Sequence, residues 1–186
     1  MIGILCRDNI SEVDDMSDFN NQTRRYNHKD NIGAIIKGGP LAPSINGLVT
    51  FTNVYDGTLV SATIYGLPKY QPASNGKAPI GPFGFHLHEN GNCTVGNPKS
   101  PFEGAGAHWN PSNQPHGNHA GDFPVLFSNN GYSYISFFTN QFKPEEVLGK
   151  AVIIHENPDD YRSQPSGNAG NRLACGIIEY INTRYL

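Results

Sequence analysis

The fold class is indicated most clearly by residues 47–66, which read GLVTFTNVYDGTLVSATIYG. Two runs rich in Val, Thr, Leu and Ile alternate apolar and polar side chains, and this period is typical of half-buried strands. The dipeptide Asp56-Gly57 separates the two runs, and Asp-Gly in this setting is a strong signal for a tight turn. We therefore predict an antiparallel hairpin with strands at 47–54 and 58–66.

Runs of the same kind recur on both sides of this hairpin. The other candidate strands are 33–37, 83–88, 125–128, 132–139, 150–155 and 174–181. Asn130-Gly131 provides a second hairpin signal, and no helix-period segment of normal length interrupts the pattern. The sequence predicts an all-β fold, an eight-stranded Greek-key β-sandwich or flattened barrel. Two long loops with little apolar content, 89–123 and 156–172, are the expected functional loops.

Composition narrows the class of partner. The chain has 186 residues with 21 Gly and 14 Pro, which favours turns over helices. Its net charge is -3, and no Lys/Arg run is longer than Arg24-Arg25, so we expect no nucleic-acid partner. Apolar stretches such as 151–154 are too short to span a bilayer, and we expect no membrane span.

The termini and cysteines suggest how the chain is organised. Residues 1–30 carry polar and charged clusters and are expected to be a flexible tail, with the domain at 31–186. The apolar start of five residues is too short for a signal-peptide core, so no export signal is recognised and the localisation stays unassigned. Cys6, Cys93 and Cys175 allow at most one bridge, and at this point the pairing is open.

Six of the seven histidines lie between residues 86 and 155. His86 and His88 end a candidate strand, and because side chains alternate across a strand, both imidazoles project from one face and can bind one ion. Two exposed surface histidines are the alternative for this motif alone.

A second group lies in the first long loop. His108, His116, His119 and Asp122 supply three imidazoles and one carboxylate, the ligands that tetrahedral zinc accepts. The alternative is a polar loop that happens to contain histidines. His155 ends the apolar run 151–154, where a hydrogen-bonded core histidine is the competing interpretation.

These residues form two candidate ligand sets. The first, called the nitrogen set, is His86, His88, His108 and His155; the second, called the mixed set, is His108, His116, His119 and Asp122. His108 belongs to both, and an imidazole can bind two metals only as the fully deprotonated imidazolate. Four nitrogens suit a copper ion, and three nitrogens with one carboxylate suit a zinc ion.

From about residue 33 to residue 181 the chain resembles the copper/zinc superoxide dismutases. Four segments carry the resemblance: GFHLHE at 84–89, GAHWNP at 106–111 with His116 and HAGD at 119–122, IHE at 154–156, and GNAGNRLACG at 167–176. The resemblance implies copper at the nitrogen set, zinc at the mixed set and His108 as the bridge. It also implies that two superoxide anions become dioxygen and hydrogen peroxide as copper cycles between Cu(II) and Cu(I), with zinc in a structural role.

The resemblance implies further roles. Cys93 would pair with Cys175, leaving Cys6 free, and such a disulfide suits an extracytoplasmic or surface location. Two buried thiols in a reducing cytosol are the alternative. Asp159 would link copper and zinc histidines, and Arg172 would hold superoxide at the mouth of the copper channel.

The sequence also departs from the family. Residues 161–165 lack the steering charges of animal members, whereas the first long loop is more similar to that of bacterial members. A homodimer is possible, but the resemblance implies no particular contact. The alternative function is a non-enzymatic copper/zinc-binding protein, a metal carrier or scaffold. A zinc hydrolase is disfavoured because four protein ligands leave no open coordination position.

Overall fold

The computed structural model describes residues 31–182. The expected tail at 1–30 and Cys6 therefore lie outside the described residues, as do residues 183–186. Nine strands are present in the described part: β1 Asn31–Gly38, β2 Asn46–Val54, β3 Gly57–Tyr65, β4 Phe85–His88, β5 Gly96–Asn97, β6 Ser100–Pro101, β7 Ser133–Thr139, β8 Ala151–His155 and β9 Arg172–Ile181. Two short 3-10 turns, Glu103–Ala105 and Pro144–Val147, are the helical elements of this part.

Seven strands form one antiparallel sheet in the order β4-β8-β9-β1-β2-β3-β7, and β5 pairs with β6 inside the first long loop. The predicted hairpin is confirmed: β2 and β3 pair from Asn46 opposite Tyr65 to Val54 opposite Gly57. Gly57 already belongs to β3, so the turn residues are Tyr55 and Asp56. The all-β prediction is confirmed.

The predicted strand at 125–128 does not form as a regular strand. Only Leu126 pairs there, in a single bridge to Phe83. The neighbouring N–H of Val125 donates instead to the Tyr161 hydroxyl at 3.1 Å, and Pro124 has no N–H to donate. Side-chain and proline effects thus interrupt the ladder at this place, although Asn130 and Gly131 form the expected left-handed turn, with φ of 53° and 92°.

Strand β4 is buried on both of its faces. Phe85 and Leu87 belong to the central apolar cluster of the sheet. Because alternate side chains point to opposite faces, His86 and His88 project to the other side, beneath the two long loops. β4 therefore separates the core from a buried cluster of histidines.

The outward face of β2, β3 and β7 carries no charged side chain. Its larger members are exposed aromatics, with Tyr134 at 62% and Phe138 at 53% relative exposure. Between them the Ser61 and Ser136 hydroxyls share a hydrogen bond at 2.8 Å. The sheet thus presents an uncharged aromatic face to the outside.

No helix within residues 31–182 has the length and apolarity needed to cross a membrane.

Candidate metal centre

The structure brings the four histidines of the nitrogen set together. β4 contributes His86 and His88, and the adjacent β8 ends in His155. His108 lies in the first long loop, and its backbone forms an isolated antiparallel β-bridge with that of His88. Their ligand atoms all lie within 4.8 Å of one another, and all four residues are buried. The Nε2 atoms of His88 and His155 are 3.2 Å apart.

The mixed set also converges, around the Asp122 carboxylate. One carboxylate oxygen, Oδ1, lies 2.9 Å from His108 Nδ1 and 3.3 Å from His119 Nδ1, and Oδ2 lies 3.2 Å from His116 Nδ1. The four ligand atoms lie within 4.8 Å of one another. His108 is thus a member of both clusters.

Four ring nitrogens show that these sets suit cations. The atoms are His86 Nδ1, His108 Nε2, His116 Nδ1 and His119 Nδ1, each buried without a hydrogen-bond partner among the described residues. A buried polar atom left without a partner is costly, and a metal ion satisfies its lone pair. The 3.2 Å from Asp122 to His116 is close to the separation of about 3.3 Å between ligands of a tetrahedral ion with bonds of about 2.0 Å. Four nitrogens therefore fit copper, and three nitrogens with a carboxylate fit zinc.

Burial also keeps His86, His88 and His155 in the form that binds metals. Loss of solvent lowers the pKa of His86 to about 4, partly offset by its hydrogen bond with Asp159. The same burial holds the pKa of His88 and of His155 well below the ordinary range. Neutral imidazoles have a free lone pair, which is what a metal ion requires.

Asp159 connects the two sets. Its Oδ2 lies 2.7 Å from His86 Nε2, and its Oδ1 lies 2.8 Å from His116 Nε2. Burial alone would raise the pKa of Asp159, but hydrogen bonds from His86, His116 and the Tyr161 N–H outweigh it and lower the pKa. The carboxylate is therefore ionised and orients one histidine of each set, with His86 Nδ1 and His116 Nδ1 left free for a cation.

Two other histidines are oriented by main-chain carbonyls that sequence analysis did not identify. His88 Nδ1 donates to the Gly106 carbonyl at 2.9 Å, and His155 Nδ1 contacts the Gly170 carbonyl at 3.3 Å. With the proton on Nδ1 in each case, Nε2 keeps the lone pair. Every residue type has a carbonyl, so no residue-type signal could have indicated these partners.

Arg172 begins β9 beside the nitrogen set. Its guanidinium donates to the carbonyls of Phe102 and Gly106, each at 2.6 Å. Burial lowers the pKa of Arg172 and the nearby Glu103 carboxylate opposes this, but a guanidinium stays protonated in proteins. The Gly106 carbonyl thus accepts hydrogen bonds from both the His88 ring and the permanently charged Arg172 guanidinium.

The disulfide is Cys93–Cys175, with a Cα–Cα distance of 5.6 Å. It joins the first long loop to β9, three residues after Arg172. The pairing implied by the resemblance is confirmed, and the open question of cysteine pairing is thereby answered for the described cysteines.

Comparison with known proteins identifies the family. The family model described as copper/zinc superoxide dismutase (SODC) matches residues 45–178. The chain belongs to the copper/zinc superoxide dismutase family. It is 36% identical over 155 residues to a Cu-Zn superoxide dismutase of Deinococcus radiodurans, covering 74% of this chain and 79% of that protein. It is 37% identical over 149 residues to one of Legionella pneumophila, covering 76% and 82%.

A solved structure of the same family agrees. The Cu/Zn superoxide dismutase from Brucella abortus matches with a TM-score of 0.62 and 27% identity, covering 80% of this chain and 98% of that chain. The copper/zinc superoxide dismutase family implies copper and zinc as cofactors, and the two donor sets of this member suit both.

Proposed function

We propose that this protein is a superoxide dismutase that converts two superoxide anions and two protons to dioxygen and hydrogen peroxide. The observation that carries the proposal is the His108 ring. Its Nδ1 lies beside Asp122 of the mixed set, while its buried Nε2 has no hydrogen-bond partner and the residue is also a member of the nitrogen set. A single imidazole shared by an all-nitrogen set and a mixed set suits a paired copper and zinc centre.

The two sets would hold different metals. His86, His88, His108 and His155 would hold copper, and His108, His116, His119 and Asp122 would hold zinc. When bound, copper supplies one-electron redox chemistry by cycling between Cu(II) and Cu(I), and zinc, which has no redox chemistry, supplies structural support. Asp159 orients His86 and His116 toward these ions.

Two side chains act on the substrate and its protons. Arg172 offers a fixed positive charge and N–H donors beside the nitrogen set, so it attracts and orients the superoxide anion. His108 would take up a proton at Nε2 between the two half-reactions of a turnover and give it to the reduced product. The overall charge of -3 repels superoxide, so capture depends on the local positive field at Arg172.

The test combines metal analysis with an activity assay on the purified full chain. We expect one copper and one zinc per chain, together with rapid superoxide dismutation. A chain that binds both metals without turnover would instead be a copper/zinc carrier or scaffold. A chain that binds neither metal would refute the assignment of both sets.

We also propose that the protein forms a homodimer through the edge of β7, whose outward side chains are uncharged. In residues 31–182, β7 forms backbone hydrogen bonds only with β3, and its seven residues, SYISFFT, contain no charge and no proline to block an edge. Antiparallel pairing about Ser136 would place Tyr134 opposite Phe138 of the partner subunit, a favourable aromatic pair.

Sedimentation equilibrium tests this contact. Tyr134→Glu should convert a dimer to a monomer, because it removes the aromatic pair with Phe138 of the partner subunit and places a carboxylate beside that ring. Tyr180→Glu is the matched control, since Tyr180 is similarly exposed, at 58%, but lies on β9. A wild-type monomer refutes the homodimer, and a Tyr134→Glu dimer refutes a contact through the β7 edge.

The disulfide supports an extracytoplasmic location, because reducing compartments disfavour such bonds. Fractionation of the source cells tests this localisation.

A further inference from the structure

The main chain of His116 is held by a side chain from the other long loop. Gln164 Oε1 accepts a hydrogen bond from the His116 N–H at 2.9 Å, and Gln164 Nε2 donates to the His116 carbonyl at 3.2 Å. The side-chain amide thereby pairs with the histidine backbone through two bonds, as a neighbouring strand would. Only one orientation of the amide satisfies both bonds.

The same loop also holds the ring. Asp159 Oδ1 lies 2.8 Å from His116 Nε2. Three of the four polar atoms of His116, its N–H, its carbonyl and Nε2, thus form hydrogen bonds with residues of the second long loop. The fourth, Nδ1, has no hydrogen-bond partner and lies 3.2 Å from Asp122 Oδ2. The direction in which His116 presents Nδ1 therefore depends on the second long loop.

The other members of the mixed set do not depend on that loop in this way. The His119 N–H donates to Asp122 Oδ2 at 3.0 Å, and the Asp122 N–H donates to the His119 carbonyl at 3.1 Å. His108 is bridged to His88 of β4. Among the four members of the mixed set, His116 is the one whose main chain is held by a side chain of the second long loop.

The two loops also meet at the next residue. Gly117 has a φ of 89°, and a Cβ atom there would lie 2.3 Å from the Tyr161 carbonyl oxygen. The backbones of the two loops are therefore in close contact at Gly117 and Tyr161, close in sequence to His116 and Gln164. This contact restricts how the backbone around His116 can move.

We propose that Gln164 is a positioning residue for zinc, holding the His116 backbone so that Nδ1 faces the other ligands of the mixed set. This inference rests on the proposed zinc role of His116. Changing a group that orients a metal ligand typically weakens metal binding by about 10- to 100-fold. Gln164 is exposed, so water can replace part of its pairing and we expect the lower end, about 10-fold.

The experiment uses the full chain with the substitution Gln164→Met, which preserves length and removes both hydrogen bonds. Gln114→Met is the matched control: this glutamine is also exposed, and its amide donates to the Ser112 carbonyl without contacting a histidine. The measurements are the zinc dissociation constant, by competition with a chelator, and the visible absorption of the Co(II)-substituted protein. Only Gln164→Met should weaken zinc binding about 10-fold and change the Co(II) bands.

An unchanged zinc dissociation constant in Gln164→Met, with unchanged Co(II) bands, overturns the proposal. Equal weakening in both variants also overturns it, because the cause would then be general disturbance of the loops. The melting temperature of the metal-free variant should equal that of the wild type, which separates positioning from a role in folding, and Gln164→Ala repeats the test with less bulk. A wild-type chain that takes up no zinc refutes the zinc role of the mixed set instead.

Discussion

The side chains of the metal centre and the groups that orient them differ in how they can be recognised. The ligating residues are marked by their chemistry: His86 and His88 alternate on one strand, and His108 lies near Asp122 in a loop without a core of its own. Their orientation depends on other groups, such as the Gly106 carbonyl, which contacts both His88 and Arg172. Residue identity thus determines which metals fit, and backbone position determines where the ligands point.

Replacing Arg172, the positively charged side chain beside the nitrogen set, should impair capture of the substrate. We predict that Arg172→Ala lowers kcat/KM by about 10-fold or more, because the local positive field that attracts superoxide is lost. The dependence of the rate on ionic strength should weaken as well, while copper and zinc contents stay at wild-type values. Stopped-flow assays over a range of salt concentrations provide the measurement.

Arg162→Ala is the control for this prediction, because it removes an equal charge from the exposed part of the second long loop. An Arg172→Ala enzyme with the wild-type rate would remove Arg172 from the mechanism.

Sequence reasoning could reach the histidines and carboxylates but not every partner around them. The candidate ligands were identifiable because few residue types bind copper or zinc. The carbonyls of Phe102, Gly106 and Gly170 were not, since all residues carry that group. Gln164 was missed for a related reason: its contact with His116 depends on how two long loops approach each other, and no periodic pattern encodes that approach.

At the scale of elements, β4 joins the apolar core to the metal centre. Its Leu87 is fully buried in the central cluster, while the flanking histidines point the other way. The alternation that makes HLH a possible metal motif also makes this strand a core strand. Seven of the eight strands predicted from such patterns form, whereas the one predicted at 125–128 does not, because a tyrosine hydroxyl on a distant loop accepts a hydrogen bond from the Val125 N–H.

A cavity in this strand should therefore affect stability. We predict that Leu87→Ala lowers the free energy of unfolding by about 2–5 kcal/mol, the cost of deleting a buried leucine side chain. Urea unfolding followed by tryptophan fluorescence measures the change. Leu41→Ala is the matched control, because Leu41 is 42% exposed and its truncation should have little effect. Equal losses in the two variants would contradict a core role for β4.

The disulfide acts between elements that are distant in sequence. Cys93 and Cys175 are separated by 82 residues. In the chain-entropy model, closing a loop of that size raises the free energy of the unfolded state by about 4 kcal/mol. We predict that the double variant Cys93→Ser/Cys175→Ser loses up to about this amount of stability, measured by urea unfolding. Cys6→Ser should show no comparable loss, and a similar loss there would contradict a specific role for the bridge.

At the scale of the whole molecule, the fold places a dense group of buried polar atoms between a β-sheet and two long loops. Four of the ring nitrogens have no hydrogen-bond partner within the described chain. The apolar core lies on the other side of β4 and offers no hydrogen-bond partner to these nitrogens. Metal binding should therefore contribute to the stability of the native state and not only to its chemistry.

Removing the metals should lower the melting temperature. Ligands that bind only the native state stabilise it by about 4 kcal/mol at a free concentration 1,000 times the dissociation constant. We expect chelator treatment to lower the melting temperature in differential scanning calorimetry, and added zinc to restore part of it. Identical thermograms with and without chelator would contradict this contribution.

The guanidinium of Arg172 is tethered to two peptide oxygens, those of Phe102 and Gly106. Substitutions at the three intervening positions change neither oxygen, so they leave both tethers chemically intact. Inserting one amino acid between them would add up to about 3.5 Å of chain and carry an oxygen away from the cation. The two tethers therefore constrain the number of residues between Phe102 and Gly106, whereas packing constrains their identity, because Ala105 is fully buried and a side chain at Gly104 would meet Asn92.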